Sequence, residues 1–328
     1  MIRTLAQRQP DEPVVALAPM SGVTDRPFRR LAYRFGADLV FSEMIAGAES
    51  LRGRDKSRHR LERGDDEGPF LVQLAGCRAE VMAEAARYCA DRGADAIDIN
   101  MGCPVKKVIG GMAGSALMRT PDEAARLVEA VVGAVDLPVS VKMRTGWDRE
   151  NRNAPELARL VERAGAAWIT VHGRTREQKY SGRADWDFIA RVKQAVAVPV
   201  LANGDVTTLA EAREILARSG ADGLLIGRGS YGRPWRVGGI ARGLQAGRAP
   251  REPDGDTRLA AIEEQLEGSL ALYGGHRGLR HFRKHLGWYL ERMGAPAALR
   301  REALTADRPE TARACLRAAA GAAAPVAA

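Results

Sequence analysis

The sequence predicts an α/β chain: a (β/α)8 TIM barrel followed by a small C-terminal all-helical domain. Three observations carry that expectation. Eight short apolar runs alternate with helical patterns over about 230 residues, the size of such a barrel. A polar or glycine-rich segment follows every one of those runs. Beyond about residue 241 the strand signal stops and only helical periodicity remains.

The runs, in order, are Val14-Val15-Ala16-Leu17-Ala18, Leu39-Val40-Phe41, Phe70-Leu71-Val72-Gln73-Leu74 and Ala96-Ile97-Asp98-Ile99. Val139-Ser140-Val141-Lys142-Met143, Trp168-Ile169-Thr170-Val171-His172, Val200-Leu201-Ala202-Asn203 and Gly223-Leu224-Leu225-Ile226 complete the set. Continuous apolar runs mark strands buried on both faces, as in a parallel sheet. Thr120-Pro121-Asp122-Glu123 reads as a helix capping box with proline at the first helical position. Thr208-Leu209-Ala210-Glu211 reads as a second. Gly93, Gly165 and Gly220 each close a helical pattern ahead of a strand. A doubly wound open sheet is the competing architecture, but no G-x-G-x-x-G follows the first strand.

The expected organisation is a barrel over residues 1–245 and a Pro/Gly-rich linker over 246–256. A helical domain over 257–316 and a disordered Ala-rich tail over 317–328 follow.

Composition narrows the functional class. The chain has 328 residues with 5% aromatics, so its core is built mainly from Ala, Val, Leu and Ile. A formal net charge of +9 suits a polyanionic partner, nucleic acid before membrane, or else a basic solvated surface. The four cysteines, 77, 89, 103 and 315, form no C-x-x-C pair. That argues against a disulfide framework or structural metal and for a reducing, cytoplasmic location. Met1 to Pro10 lacks the apolar segment of a signal peptide. No apolar run approaches the ~18 residues of a membrane span, so no membrane partner is expected.

In a barrel of this kind chemistry sits where the strands end. The ends carry Pro19-Met20-Ser21, Ser42-Glu43-Met44, Gln73, Asn100 with Cys103, Lys142 with Arg144, His172-Gly173-Arg174, Asn203-Gly204-Asp205 and Gly227-Arg228-Gly229. The glycines of the last two, with Arg228, suit a phosphate, although they also suit plain tight turns. Lys142 and Arg144, two apart on a strand, face the same way, and a lysine inside a barrel needs an anion. Gln73 and Asn100 match the edge of a planar heterocycle. Together these suggest FMN rather than a nicotinamide.

Cys103 lies in Asn100-Met101-Gly102-Cys103-Pro104-Val105-Lys106-Lys107, a loop past a strand end, where a thiol can donate a proton or attack an electrophile. If it must keep its proton, Lys106 and Lys107 serve better as contacts for RNA phosphate. His172 reads as a cofactor contact or general acid. His281 and His285 are spaced for a metal but lack the intervening glutamate of a zinc protease, so no metal is expected. Leu279, Phe282, Leu286, Leu290 and Met293 form one apolar helix stripe. Opposite it, Arg277, Arg280 and Lys284, with Trp288 beside them, suit phosphates and stacked bases, or else a solvated face with the tryptophan packed on the barrel.

The motifs Ala18-Pro19-Met20-Ser21-Gly22-Val23-Thr24-Asp25-Arg26-Pro27-Phe28-Arg29, Asp98-Ile99-Asn100-Met101-Gly102-Cys103-Pro104 and Lys142-Met143-Arg144-Thr145-Gly146-Trp147 resemble those of tRNA-dihydrouridine synthases. So do His172-Gly173-Arg174-Thr175, Asn203-Gly204-Asp205 and, near the C-terminus, Arg283-Lys284-His285-Leu286-Gly287-Trp288-Tyr289. The resemblance covers nearly the whole chain and is nearest the bacterial B-type branch. It implies an FMN enzyme, reduced by NADPH with NADH as the other possible donor, that reduces specific uridines of tRNA to 5,6-dihydrouridine. By residue matching it implies FMN contacts from Pro19, Met20, Ser21, Gln73, Lys142, His172, Asn203, Gly204, Asp205, Gly227 and Arg228. It puts Asn100 and Arg144 on the uracil side and gives Cys103 the role of proton donor. Arg280 and Lys284 join Lys106 and Lys107 as expected RNA contacts, and no obligate protein partner is evident. The alternative is a barrel flavin reductase acting on free pyrimidines or enoates.

Overall fold

A computed structural model describes residues 12–47, 59–63, 68–248 and 252–322. The N-terminal segment Met1 to Pro10, part of the linker and the last six residues lie outside them.

Among the described residues nine strands form one sheet: β1 (Val14–Leu17), β2 (Leu39–Phe41), β3 (Ile45–Ala46), β4 (Phe70–Ala75), β5 (Ala96–Met101), β6 (Val139–Arg144), β7 (Trp168–His172), β8 (Val200–Asn203) and β9 (Gly223–Ile226). Every pairing is parallel. β1 pairs with both β2 and β9, and β2 pairs with β4, so the sheet closes into an eight-stranded barrel. The extra strand β3 extends β2 after a break at Ser42, Glu43 and Met44, and pairs with the upper end of β4. Sequence periodicity gave no sign of this two-residue strand, because two residues carry no period.

The two faces of each strand do different work. Val15, Leu17, Val72, Ile97, Val141, Ile169 and Ala202 face outward into the core shared with the helices. Val14, Ala16, Leu39, Leu71, Ala96, Trp168, Leu201 and Leu225 fill the N-terminal half of the barrel interior. Two residues further along the same phase the interior turns polar: Gln73, Asp98, Asn100, Ser140, Lys142, Arg144, Thr170, His172 and Asn203. The apolar floor closes the barrel and lifts every polar side chain toward one end.

The helices are α1 (Arg26–Arg34), α2 (Ala79–Ala90), α3 (Lys106–Gly110), α4 (Pro121–Val132), α5 (Ala154–Arg163), α6 (Trp186–Lys193), α7 (Leu209–Ser219) and α8 (Arg236–Ala246). The C-terminal four are α9 (Gly255–Tyr273), α10 (Gly275–Arg292), α11 (Ala297–Thr305) and α12 (Pro309–Ala322). The Thr208–Glu211 capping box forms in full, and Gly220 closes α7 in a left-handed conformation. The Thr120 box does not form. The backbone N–H of Thr120 instead donates to the carbonyl of Leu117 and closes a preceding 3-10 turn.

α9 begins at Gly255, inside the expected linker, because Asp254 caps it through the N–H of Thr257. The expectation of a disordered tail from residue 317 fails for its first part. α12 continues to Ala322, since Cys315, Leu316 and Ala319 pack on one side into the cluster of Ile262, Leu266, Phe282, Leu286 and Leu290. Trp288 takes the packed alternative: its ring stacks on Tyr231 of the barrel at 3.9 Å, nearly coplanar. Among the described residues no His, Cys, Asp and Glu cluster could hold a metal, and no helix is long and apolar enough to cross a membrane.

Candidate active site

The polar end of the barrel opens into a cavity of about 830 Å³. Its lining includes Pro19, Met20, Ser21, Gln73, Asn100, Cys103, Lys142, Arg144, His172, Asn203, Gly204, Asp205, Gly227 and Arg228. The strand ends thus gather every residue expected to touch cofactor or uracil. Lys106, Lys107, Arg280 and Lys284 are not in that lining. Lys106 and Lys107 lie exposed at the start of α3, and Arg280 is exposed on α10. Lys284 is half-buried and reaches toward Gly22, in the turn that follows β1.

Across the barrel interior runs a hydrogen-bonded chain. Ser140 Oγ donates to Asp98 Oδ1 at 2.6 Å, and Gln73 Nε2 donates to Asp98 Oδ2 at 2.7 Å. Asn100 Nδ2 donates to Gln73 Oε1 at 2.8 Å. Asn100 Oδ1 then accepts from the N–H groups of Gly102 and Cys103 at 3.1 and 2.9 Å. The amide of Asn100 is therefore largely committed to holding the Cys103 loop. Asp98 is fully buried, and desolvation raises its pKa to about 6 despite the bonds from Ser140 and Gln73 and the charge of Lys142.

Lys142 Nζ donates to Asn203 Oδ1 at 3.1 Å, while Asn203 Nδ2 donates to the carbonyl of Leu225. Burial first, and then the charge of Arg144, lower the Lys142 pKa to about 8. Arg144 Nε donates to the carbonyl of Gly102 at 2.6 Å, and Nη1 donates to the carbonyls of Thr175 and Lys179. His172 is held far below its ordinary pKa by burial and by the charges of Lys142, Arg144, Arg174 and Arg228. A neutral imidazole results, suited to hydrogen bonding and a poor source of protons.

Asp205 sits at φ +57 and accepts from Arg174 Nη1 and Nη2 at 2.9 and 2.6 Å. It also accepts from Ala184 N–H at 2.8 Å and Arg228 Nη2 at 3.1 Å. Burial pushes its carboxyl up, but those bonds and the two arginine charges outweigh it and hold it below the usual range. The Asp205 carboxylate therefore acts as an anchor for two guanidinium groups. Tyr180, exposed at the mouth, has Arg228 over its ring at 5.0 Å and Arg144 at 5.7 Å.

Sequence reasoning assigned no role to Asp98, Ser140, Arg174 or Tyr180. An acid inside an otherwise apolar strand was the available signal for Asp98. Tyr180 had none, because only the fold brings its loop over the mouth.

The closed barrel, with cations and glycines gathered at its polar rim, defines a (β/α)8 protein whose cavity lies where such barrels hold their active sites. A family model described as dihydrouridine synthase matches residues 16–324. A probable tRNA-dihydrouridine synthase of Rhodobacter capsulatus is 52% identical over 309 residues, covering 94% of this chain and 95% of that one. One from Rhizobium leguminosarum bv. phaseoli is 55% identical over 284 residues, 86% of each chain. A tRNA-dihydrouridine synthase B of Xanthomonas campestris pv. campestris is 46% identical over 302 residues, 91% of this chain and 90% of that one. The chain belongs to the dihydrouridine synthase family and is an oxidoreductase. Membership implies a flavin cofactor.

Proposed function

We propose that this enzyme reduces specific uridines of tRNA to 5,6-dihydrouridine, with FMN as its flavin, NADPH as electron donor and Cys103 as proton donor. The observation that carries the proposal is the composition of one cavity: the Cys103 rim lines it together with Lys142, His172, Asn203, Gly204 and Arg228. The relatives named above bear the same activity in their names.

The residues present fit a phosphorylated flavin. Gly204 has φ +131, and a Cβ there would come within 2.6 Å of Ala184 Cβ and 3.2 Å of His172 Cδ2. Only glycine leaves this backbone free to approach a ligand. Lys142 is a buried cation beside a neutral amide rather than a directly bonded carboxylate, which favours an anionic or electron-rich ring edge. Arg228 and the backbone at Gly204 and Gly227 would hold the phosphate. Pro19, Met20, Ser21, Gln73, Lys142, His172 and Asn203 would hold the ring and the chain between, with Asp205 fixing Arg174 and Arg228.

Bound there, a reduced flavin would supply a hydride for carbon 6 of the uracil. Cys103 gives its thiol proton to carbon 5, becomes a thiolate, and is reprotonated from solvent. Arg144 and Asn100 hold the Cys103 loop at the rim of the cavity. Arg144, on the uracil side, would stabilise negative charge that develops on the uracil oxygens as the double bond is reduced. A uridine in folded tRNA must leave its stack to enter the mouth, at a cost of a few kcal/mol. The net basic chain offsets that by binding backbone phosphate.

The purified protein should be yellow and release FMN on denaturation. Cys103→Ala should retain the flavin and make no dihydrouridine when tRNA is digested and analysed by mass spectrometry. Wild-type product from that variant removes the proton-donor assignment, and turnover of free uridine at the tRNA rate favours the small-molecule reductase.

A further inference from the structure

We propose that Ser115 is a positioning residue that fixes the Cys103 thiol for proton transfer by holding the Cys103 backbone carbonyl. The inference rests on the reading of Cys103 as the proton donor.

The peptide groups around Cys103 are held from three directions. On the strand side, its N–H donates to Asn100 Oδ1 at 2.9 Å. From β6, Arg144 Nε holds the preceding carbonyl, that of Gly102. On the far side, the carbonyl of Cys103 accepts twice from one residue: Ser115 Oγ at 2.9 Å and Ser115 N–H at 3.2 Å. Ser115 is fully buried in a 3-10 turn, Gly114–Arg119, whose Leu117 and Met118 belong to the main core. The carbonyl is thus tied to a turn anchored in the main core.

The approach is close enough to demand glycine next door. Gly114 has φ +62, and a Cβ there would lie 2.9 Å from the Cys103 carbonyl oxygen and 3.2 Å from Cys103 Cβ. Gly114 and Ser115 together form a seat under the cysteine. Beyond Cys103 the chain is less buried: Val105 is exposed and α3 buries none of its residues, although the carbonyl of Val108 accepts from Ala113 N–H.

This placement matters because proton transfer needs heavy atoms within hydrogen-bond reach, and a displacement of about 1 Å can cost on the order of a hundredfold in rate. The Ser115 hydroxyl touches neither cavity nor substrate, so its effect is exerted wholly through Cys103.

The test uses the flavin-loaded protein and two half-reactions. In Ser115→Ala the N–H bond remains, so the fold and flavin content should persist. NADPH should reduce the flavin at the wild-type rate, while reoxidation by tRNA should slow about tenfold. Alkylation of Cys103 by iodoacetamide, followed on its own peptide by mass spectrometry, should speed up several-fold as the freed thiol samples exposed orientations. Ser115→Thr, which keeps the hydroxyl, should restore both rates. Alkylation unchanged or slower in Ser115→Ala overturns the proposal, as does tRNA reoxidation at the wild-type rate. Cys103→Ala measured in parallel separates the two readings: if it reoxidises normally, Cys103 is not the donor, and alkylation alone still judges whether Ser115 pins it.

Discussion

Gln73 donates its side-chain amide to Asp98 at 2.7 Å inside the barrel, and this pair sets the orientation of the polar layer above the apolar floor. With its Nε2 spent on Asp98, Gln73 must turn its oxygen to Asn100, and Asn100 in turn points its oxygen at the Cys103 loop. One buried carboxylate thus fixes the sense of a chain that ends at the Cys103 loop.

Asp98 should leave a signature in acid. Burial raises its pKa to about 6, above the ordinary unfolded value. The folded state takes up this proton first, so its contribution to stability increases as pH falls from about 6 to about 4. Urea unfolding of Asp98→Asn should lack that contribution relative to wild type. Asp98→Ala, which leaves Gln73 and Ser140 without their acceptor, should cost about 1–3 kcal/mol per unpaired group.

Lys142 should make binding of the flavin pH-dependent. With a pKa lowered to about 8 by burial and by Arg144, it is charged below that pH and neutral above it. Flavin affinity, measured by quenching of flavin fluorescence, should weaken as pH rises from 7 to 9. Lys142→Met should bind about tenfold more weakly and lose the pH dependence in that range, the loss of one cationic contact being worth about 1.4 kcal/mol.

The Arg174–Asp205 pair is a buried guanidinium against a partly exposed carboxylate. Removing the carboxylate leaves Arg174 without its anion, although the carbonyls of Ser181 and Gly182 still accept from it. Asp205→Ala should therefore cost about 3 kcal/mol, at the lower end for breaking a buried pair. It should also release Arg228 and lower phosphate affinity. Thermal unfolding and flavin titration check the two effects separately.

His285 should oppose Asp98 in the same pH range. It is buried between Phe28, Phe282 and Trp288, and burial, then the charges of Lys284 and His281, lower its pKa to about 3. The unfolded chain protonates it near 6.5, so stability is lost as pH falls from about 6.5 toward 3. His285→Phe should unfold less readily in acid than wild type while differing little at pH 8.

Trp288 separates packing from recognition. Because its ring stacks on Tyr231, Trp288→Ala should lower the melting temperature, with a loss of about 2–4 kcal/mol, close to that of other large-to-small core changes. Arg280→Glu, on the exposed face, should leave stability unchanged. If α10 meets RNA, it should weaken tRNA binding and flatten its salt dependence by about one ion.

Much of this was legible in one dimension. Strands such as Trp168–His172 and Val200–Asn203 announce themselves because burial on both faces demands short, mainly apolar runs. The strand ends that line the cavity follow from the barrel itself, since its rim is where strands stop. Thr208 and Thr120 show the limit of local signals. They carry the same capping pattern, yet the box closes only at Thr208, whereas Thr120 closes the 3-10 turn that precedes its helix. Lys284 shows another: on a helical wheel it joins Arg280, whereas in the fold it bends toward Gly22 and the acid Asp25.

The sequence by itself determined the barrel, the rim and the thiol. Period, burial pattern and spacing are properties of neighbouring residues, and these features need nothing more. Only the tertiary structure decided how the thiol is held, which of the basic residues reach the cavity, and that Trp288 faces the barrel. Ser115 lies twelve residues from Cys103, Arg144 forty-two from Gly102 and Arg174 thirty-one from Asp205. Such contacts are set by which strand ends the closed sheet brings together and by the cost of leaving a buried polar group without a partner.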